Sequence, residues 1–167
     1  MMLHPQAFAL TVFAAVMAIA AFEDFRRLVI PNLLPIVLCL AWPFYFAADP
    51  SFYGALEAVA CALAVFFVGA VLFARGYLGG GDVKLLAAAT LWAGPALTPA
   101  LLLLTSVLGG VLALFLLLPM GSQLATAARL LMGQPTLPAP RGMAMPIPYG
   151  VAIAGAAVIV ILSPHVG

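Results

Sequence analysis

Charged side chains are rare in this sequence. Asp, Glu, Lys and Arg account for 7% of its 167 residues, and hydrophobic residues account for 66%. Soluble domains carry about 25% charged residues, so this composition excludes an ordinary soluble protein. It predicts an all-α integral membrane protein that binds the lipid bilayer, with residues 1–167 forming one domain. The net charge of +1 gives no basis for a nucleic-acid partner, and we predict none.

Cysteine is scarce as well. Cys39 and Cys61 lie in apolar runs and are 22 positions apart. Two cysteines cannot form the four-cysteine site that binds structural zinc. We therefore expect both thiols to be reduced, buried and inert, and we predict no metal and no cofactor.

Long apolar runs are abundant, and polar, Pro and Gly residues divide them into six segments. A membrane span needs about 20 residues, or about 17 at the short end. The second and fourth segments are short, and the Gly94-Pro95 pair favours a bend in the fourth. The predicted bundle therefore has about six transmembrane helices. These are Ala7–Phe22, Leu33–Ala47, Ala55–Phe73, Val83–Leu97, Pro99–Leu118 and Ile147–Leu162.

The basic residues predict the orientation of these spans. Six alternating spans place every basic residue on one side, which the positive-inside rule assigns to the cytoplasm. Both termini are then predicted to lie outside the cytoplasm. If the fourth span alone were absent, Arg129 and Arg141 would move to the other side. The placement of every basic residue on one side therefore favours six spans. The residues are Arg26, Arg27, Arg75, Lys84, Arg129 and Arg141.

Two acidic residues, Asp24 and Asp82, are predicted to meet at the cytoplasmic edge. Asp24 ends the first apolar run and Asp82 begins the fourth. We interpret Asp49, in a turn-like stretch, and Glu57, one turn into the third span, as solvated or interfacial. Ionisable residues at membrane depth are costly and tend to be functional, although those at helix ends reach the interface more cheaply.

A facing pair of carboxyl groups can hydrolyse a peptide bond. Their repulsion keeps one protonated while the other is ionised. The ionised group takes a proton from water, which attacks the carbonyl, and the protonated group donates to the oxygen. The leaving nitrogen is then protonated in turn by the pair. Structural roles stay open at this point: Asp24 could pair with Arg26 or Arg27, and Asp82 could cap the fourth helix.

Three local sequences resemble type IV prepilin peptidases. "GGGDVK", Gly79–Lys84, matches the G-x-G-D signature of intramembrane aspartic proteases. "DFRRLVIPN", Asp24–Asn32, resembles the segment with the family's first catalytic aspartate, and "PYGVAIAGA", Pro148–Ala156, is similar to its closing helix. The three occur in family order. The resemblance is to the small CpaA/TadV-like form found in Flp (tight adherence) pilus systems.

The resemblance implies an aspartic endopeptidase of the bacterial cytoplasmic (inner) membrane. Its catalytic pair would be Asp24 and Asp82, and its substrate a prepilin or pseudopilin precursor with a short basic leader ahead of an apolar helix. Lys84 and the two arginines of the first loop are interpreted as ion-pairing residues or as interfacial cations that set topology.

Four further residues are candidates for substrate binding. Gly79, Gly80 and Gly81 lack side chains, so an extended substrate backbone could approach Asp82 closely. Tyr149 opens the last helix, where it could bind substrate or be an ordinary interfacial aromatic residue.

Larger members of the resembled family carry zinc-binding CxxC pairs associated with N-methylation of pilin. This sequence lacks them, so we expect no methyltransferase activity. The fifth connection, residues 119–146, predicts a short amphipathic helix near Ser122–Met132 followed by a mobile Pro-rich stretch, either a lid or a plain loop.

Other classes of membrane protein compete with the peptidase. A small ion-coupled transporter could use the same two aspartates, but it would be expected to place ionisable residues near the bilayer midplane, often within internal repeats. A noncatalytic scaffold would account for Gly109-Gly110 and the many alanines, and a presenilin-type protease would need a longer bundle. The oligomeric state does not follow from the sequence.

Overall fold

The structure, a computed structural model, describes residues 5–47, 51–133 and 147–163, and its regular elements there are helices. The prediction of an all-α protein is confirmed for this part of the chain. Three helices, α1, α3 and α4, are long and apolar enough to cross a membrane, and α2 and α6 are shorter apolar helices. The six helices are α1 Pro5–Arg27, α2 Leu33–Phe46, α3 Phe52–Ala74, α4 Gly80–Leu117, α5 Pro119–Leu131 and α6 Tyr149–Leu162.

The predicted fourth and fifth spans are the two halves of α4, which is interrupted at Gly94. Gly94 has φ 63° and ψ −177°, and Pro95 follows it within the helix. This combination of angles is open essentially only to glycine. The predicted bend at the Gly94-Pro95 pair is confirmed, but the boundary between the two spans was predicted between residues 97 and 99. It lies earlier because Gly94, rather than Pro99, breaks the helical path.

The chain reverses direction at this interruption. In a straight helix, residues 81 and 109 would lie about 42 Å apart. Instead, Gly81 packs against Ile30, which also contacts Gly150 at the start of α6, while Gly109 packs against the neighbouring Tyr149. The two halves of α4, residues 80–93 and 95–117, therefore form a hairpin.

Replacement of Gly94 by alanine is expected to destabilise this hairpin by about 1–3 kcal/mol, because the new Cβ is incompatible with the backbone conformation. Gly110→Ala is the matched control, since it lies in the second half of α4 with open space around it. Thermal unfolding in detergent would compare the two variants. Equal midpoints would contradict the role of Gly94.

The core is formed by α6 packed against α1 and α4, with α1 also packed against α2. Its largest buried side chains include Phe13, Met17, Leu85 and Ile153. Trp92 on α4 contacts Phe13 with ring centroids 4.8 Å apart and donates its indole N–H to the carbonyl of Leu38 on α2 at 3.0 Å. These contacts fix the relative positions of α1 and α4, the helices that carry the two aspartates.

The outer surface is as apolar as the core. α3 packs mainly against α4, and it exposes large side chains such as Leu63, Phe67 and Val68. Soluble monomers rarely expose contiguous apolar areas of this kind. The pattern agrees with a helix bundle whose outer surface meets lipid.

Several features of the structure differ from the prediction. Cys39 is exposed, so its predicted burial is wrong, while Cys61 is partly buried, and both are free cysteines. In a helix that is apolar all round, composition does not distinguish the inner face from the outer one. α6 begins at Tyr149 rather than Ile147.

The amphipathic helix of the fifth connection is present as α5, but it begins at Pro119, three residues before the predicted start. Asp49 and Arg141 lie outside the described residues. So does the predicted Pro-rich stretch after Met132, apart from its first position, 133.

Candidate active site

The two predicted catalytic residues lie at the same end of the bundle. Asp24 is in the last turn of α1, and Asp82 is in the first turn of α4. Ile30 connects their surroundings, because it packs against Gly81 on one side and against Gly150 on the other, where Asp24 also lies. We call this end of the bundle, defined by Asp24, Asp82 and Gly150, the aspartate end.

Asp24 is held by the start of α6. Its side chain is 5% exposed, and Oδ2 accepts a hydrogen bond of 2.7 Å from the backbone N–H of Gly150. The first N–H groups of a helix have no partner within the helix, and the helix dipole favours a negative group there. The N-terminus of α6 therefore supplies a donor that fixes the Asp24 carboxyl group.

Gly150 permits this contact because it has no side chain. A Cβ at this position would lie 2.8 Å from Asp24 Oδ2, 2.9 Å from Asp24 Cβ and 2.7 Å from Ile30 Cδ1. The Asp24 Cβ is fixed by the backbone of α1 and cannot move aside as a flexible side-chain end would. Close approach of α6 to α1 thus requires glycine at position 150.

Asp82 caps its own helix with one of its two oxygens. It is the third residue of α4, and its carboxyl group accepts a hydrogen bond from the backbone N–H of Gly79, the N-cap. This is half of a capping box. Within residues 5–47, 51–133 and 147–163, the other oxygen, Oδ1, is buried and has no hydrogen-bond partner. The capping role left open by the sequence is therefore real, but it occupies only one oxygen.

The two carboxyl groups are near enough to act on each other. The charge of Asp24 exerts a Coulombic effect on Asp82, which is itself partly removed from solvent. Two interacting carboxyl groups of this kind titrate as a unit. The arrangement can bind a single proton between two acids, which is the requirement for paired-carboxylate chemistry.

Two basic residues near the site, Arg27 and Lys84, have partners that the sequence did not indicate. Arg27 forms an ion pair with Glu23 one turn earlier, at 3.5 Å between Nε and Oε2. Lys84 Nζ donates a hydrogen bond of 2.8 Å to Oδ1 of Asn32, which directly precedes α2. Lys84 thereby ties the first turn of α4 to the start of α2.

This tie can be measured with a double-mutant cycle of Asn32→Ala and Lys84→Met. Because both side chains are exposed, we expect a coupling of about 0.5–1 kcal/mol in thermal unfolding. Arg75→Met, in the adjacent connection, is the control for loss of a surface cation. Strictly additive effects of the two substitutions would show that the hydrogen bond contributes nothing to stability.

The predicted substrate-binding glycines face close neighbours. A Cβ at Gly81 would lie 3.0 Å from Ile30 Cβ, and one at Gly80 would lie 3.2 Å from the ring of Phe73. One at Gly79 would lie 2.6 Å from Asp82 Oδ2. These glycines permit tight packing around Asp82. Their contact with a substrate stays a prediction.

Tyr149 packs its ring against the second half of α4. Its Cε1 would lie 3.0 Å from a Cβ at Gly109, so the ring fills the space between α6 and α4. Its place beside Gly150 brings it to the aspartate end. Substrate binding by Tyr149 stays a prediction.

Gly150 and Ile30 are the residues of this site that the sequence did not single out. The signal for Gly150 was a glycine in the first turn of an apolar helix, which often marks close approach of two backbones. Among the described residues, no three His, Cys, Asp or Glu side chains form a group that could hold a metal ion.

Fold and site together define an all-helical, strongly apolar protein with two interacting carboxyl groups at one end. The model of the type IV leader peptidase family matches residues 11–114, a range that contains Asp24, Asp82 and the three glycines before Asp82. The match covers more than half of the chain, and the chain belongs to this family. α5 and α6 lie beyond the matched range. Comparisons with curated proteins and with solved structures give no match.

Proposed function

We propose that this protein is an aspartic endopeptidase of the bacterial cytoplasmic membrane that removes the leader peptide from Flp-type prepilins or pseudopilins. The observation that carries the proposal is the meeting of Asp24 and Asp82, from two different helices, at one end of an apolar bundle. Membership of the type IV leader peptidase family supports the peptidase activity. The chain acts as a single peptidase domain.

The aspartate end faces the cytoplasm in this proposal, and both termini lie on the other side. Arg26, Arg27 and Lys84 lie at the aspartate end, in the same helix termini as the two aspartates. Cations of this kind are retained on the cytoplasmic side of membranes. The hairpin turn at Gly94 lies at the opposite end, so the chain crosses the bilayer six times, by α1, α2, α3, the two halves of α4, and α6.

The chemistry needs two carboxyl groups and one water molecule. The ionised group takes a proton from water, whose oxygen attacks the carbonyl carbon of the scissile bond. The protonated group donates its proton to the carbonyl oxygen. The group that took the proton from water then gives it to the leaving nitrogen, the other group takes a proton back from a hydroxyl of the tetrahedral intermediate, and the C–N bond breaks. The partner-free Oδ1 of Asp82 is available to bind this water, while the second carboxyl group is held by Gly150.

The location of the site matches the geometry of the substrate. A prepilin anchored in the same membrane with its leader in the cytoplasm brings its cleavage point to the interface where the aspartates lie. Gly79, Gly80, Gly81 and Tyr149 are the proposed contacts for the backbone around the scissile bond.

An ion-coupled transporter has less support. Its carboxyl groups and broken helices would be expected near the middle of the membrane. Here the aspartates lie at one end of the bundle, and the interruption of α4 at Gly94 lies at the other.

The proposal is tested by co-expression with a Flp-type prepilin in a bacterial host that lacks its own prepilin peptidase. We expect conversion to a shorter mature form, with the cleavage point identified by mass spectrometry of the new N-terminus. A host with empty vector is the control. Full-length prepilin alone in both strains would remove this substrate class from the proposal.

A further inference from the structure

α5 differs from the other helices in the way its side chains are arranged. Met120, Leu124 and Leu131 fall within about 40° of one line along the helix at 100° per residue. They are 72%, 57% and 90% exposed, so this apolar stripe has little protein packed against it. Ser122 and Thr126 lie on the opposite side of the helix.

α5 is not a membrane span, because it is short and, unlike the similarly short α2 and α6, it carries polar residues along one side. Its 13 residues extend about 20 Å, against about 30 Å for the hydrocarbon core. It begins two residues after α4 ends, so it starts at the depth where a span leaves the bilayer.

The corner between α4 and α5 has a defined backbone geometry. Leu118 adopts an extended conformation with ψ 140°, as the residue before a proline prefers, and Pro119 opens α5. The amide of Ser122 donates to the carbonyl of Leu118 at 3.0 Å, which closes the first turn. Gly121 is buried, and a Cβ there would overlap the carbonyl of Phe115. This packing gives α5 a defined angle to α4 rather than letting it continue along the same axis.

We propose that α5 is an interfacial helix that binds the lipid surface through the stripe of Met120, Leu124 and Leu131. The inference rests on the membrane location in the proposed function, but not on its protease chemistry. The last turn of α4 exposes Leu114 and Leu117, which meet lipid in that location, and the stripe begins directly after them. An amphipathic helix at this depth inserts its apolar face into the boundary between headgroups and acyl chains. Its polar face then points towards water.

Site-directed spin labelling tests this proposal. Cys39 and Cys61 are first replaced by alanine, and single cysteines are then introduced at Met120, Leu124, Leu131 and Thr126. The labelled full-length protein is placed in nanodiscs of phosphatidylethanolamine and phosphatidylglycerol. Collision rates are measured with oxygen, which concentrates in lipid, and with a water-soluble nickel chelate. A label at Leu63, near the middle of α3, reports whether the bundle is embedded.

We expect oxygen to exceed the nickel chelate at positions 120, 124 and 131, and the reverse at position 126. Equal access of the chelate to both faces of α5, with position 63 protected, would overturn the interfacial helix while leaving the membrane location intact. Protection of both faces from both reagents would overturn it in favour of a protein cover, such as a lid or a second copy of this chain. Access of the chelate to position 63 would overturn the membrane location on which the inference rests. Prepilin cleavage by the cysteine-free parent is measured in parallel. Cleavage tests the proposed function and the labels test the position of α5, so failure of one is distinguished from failure of the other.

Discussion

Asp24→Asn and Asp82→Asn are each expected to lower prepilin cleavage by at least about a thousandfold. General acid and base catalysis by a positioned group contributes about 10²–10⁴-fold, and the proposed mechanism uses each carboxyl group in both steps. An amide neither takes a proton from water nor donates one as an acid does. Loss of either carboxyl group therefore removes the proton transfers that the remaining one cannot perform alone.

The structure predicts that these variants fold normally. The amide oxygen of an asparagine at position 24 still accepts the hydrogen bond from the N–H of Gly150. An asparagine at position 82 still accepts from Gly79 and caps α4. Activity and stability should thus separate: cleavage falls steeply while thermal unfolding in detergent changes little.

Glu57→Gln is the matched control for this experiment. Glu57 is exposed on α3, about 25 Å along the helix from the end that reaches the site. Its loss removes a carboxyl group without touching the aspartate pair, so cleavage should equal that of the parent. Continued cleavage by either aspartate variant, at matched protein levels, would return that residue to a purely structural role in capping or ion pairing.

Gly150→Ala is expected to lower cleavage by about a hundredfold although the residue touches no substrate in the proposal. The added Cβ would lie 2.8 Å from Asp24 Oδ2 and 2.9 Å from Asp24 Cβ, so α6 and α1 must move apart. A displacement of about 1 Å at a catalytic group can reduce a rate about a hundredfold. Cleavage kinetics in detergent-solubilised membranes would measure the loss.

Gly155→Ala is the control, because its Cβ would lie at an ordinary 3.6 Å from Leu108 Cδ1 on α4. Ile30→Val in the Gly150→Ala background shows whether the loss comes from the contact with Ile30 or from the contact with Asp24. This change removes the Cδ1 atom that the new Cβ would also meet, but it leaves the contact with Asp24. Full recovery would place the fault at Ile30 and would contradict the positioning role assigned to Gly150.

Much of the bundle was predictable because its signals are local. The run of apolar residues before Asp24 and the Gly-Gly-Gly-Asp start of α4 indicated two helix ends that carry carboxyl groups. The Gly94-Pro95 pair indicated a bend, and the helix is interrupted at Gly94. Only the limits of the two spans, Leu97 and Pro99, were placed a few residues too late.

The remaining features depend on contacts between distant parts of the chain. The hydrogen bond from Gly150 to Asp24 joins residues 126 positions apart, and no periodicity in either helix predicts it. Cys39 was misplaced because apolar residues cover both faces of α2, so their pattern carries no information on which face packs inward. The hydrogen bond between Lys84 and Asn32 likewise depends on how α2 and α4 meet.

The anchor of Asp24 also orders events during biosynthesis. Asp24 lies on α1, which leaves the ribosome well before α6, the helix whose amide holds it. Asp82 and its cap are complete much earlier, within a single turn of α4. A nascent chain therefore carries both aspartates before it can orient the first of them. The hydrogen bond between α6 and Asp24 forms only once α6 has been inserted.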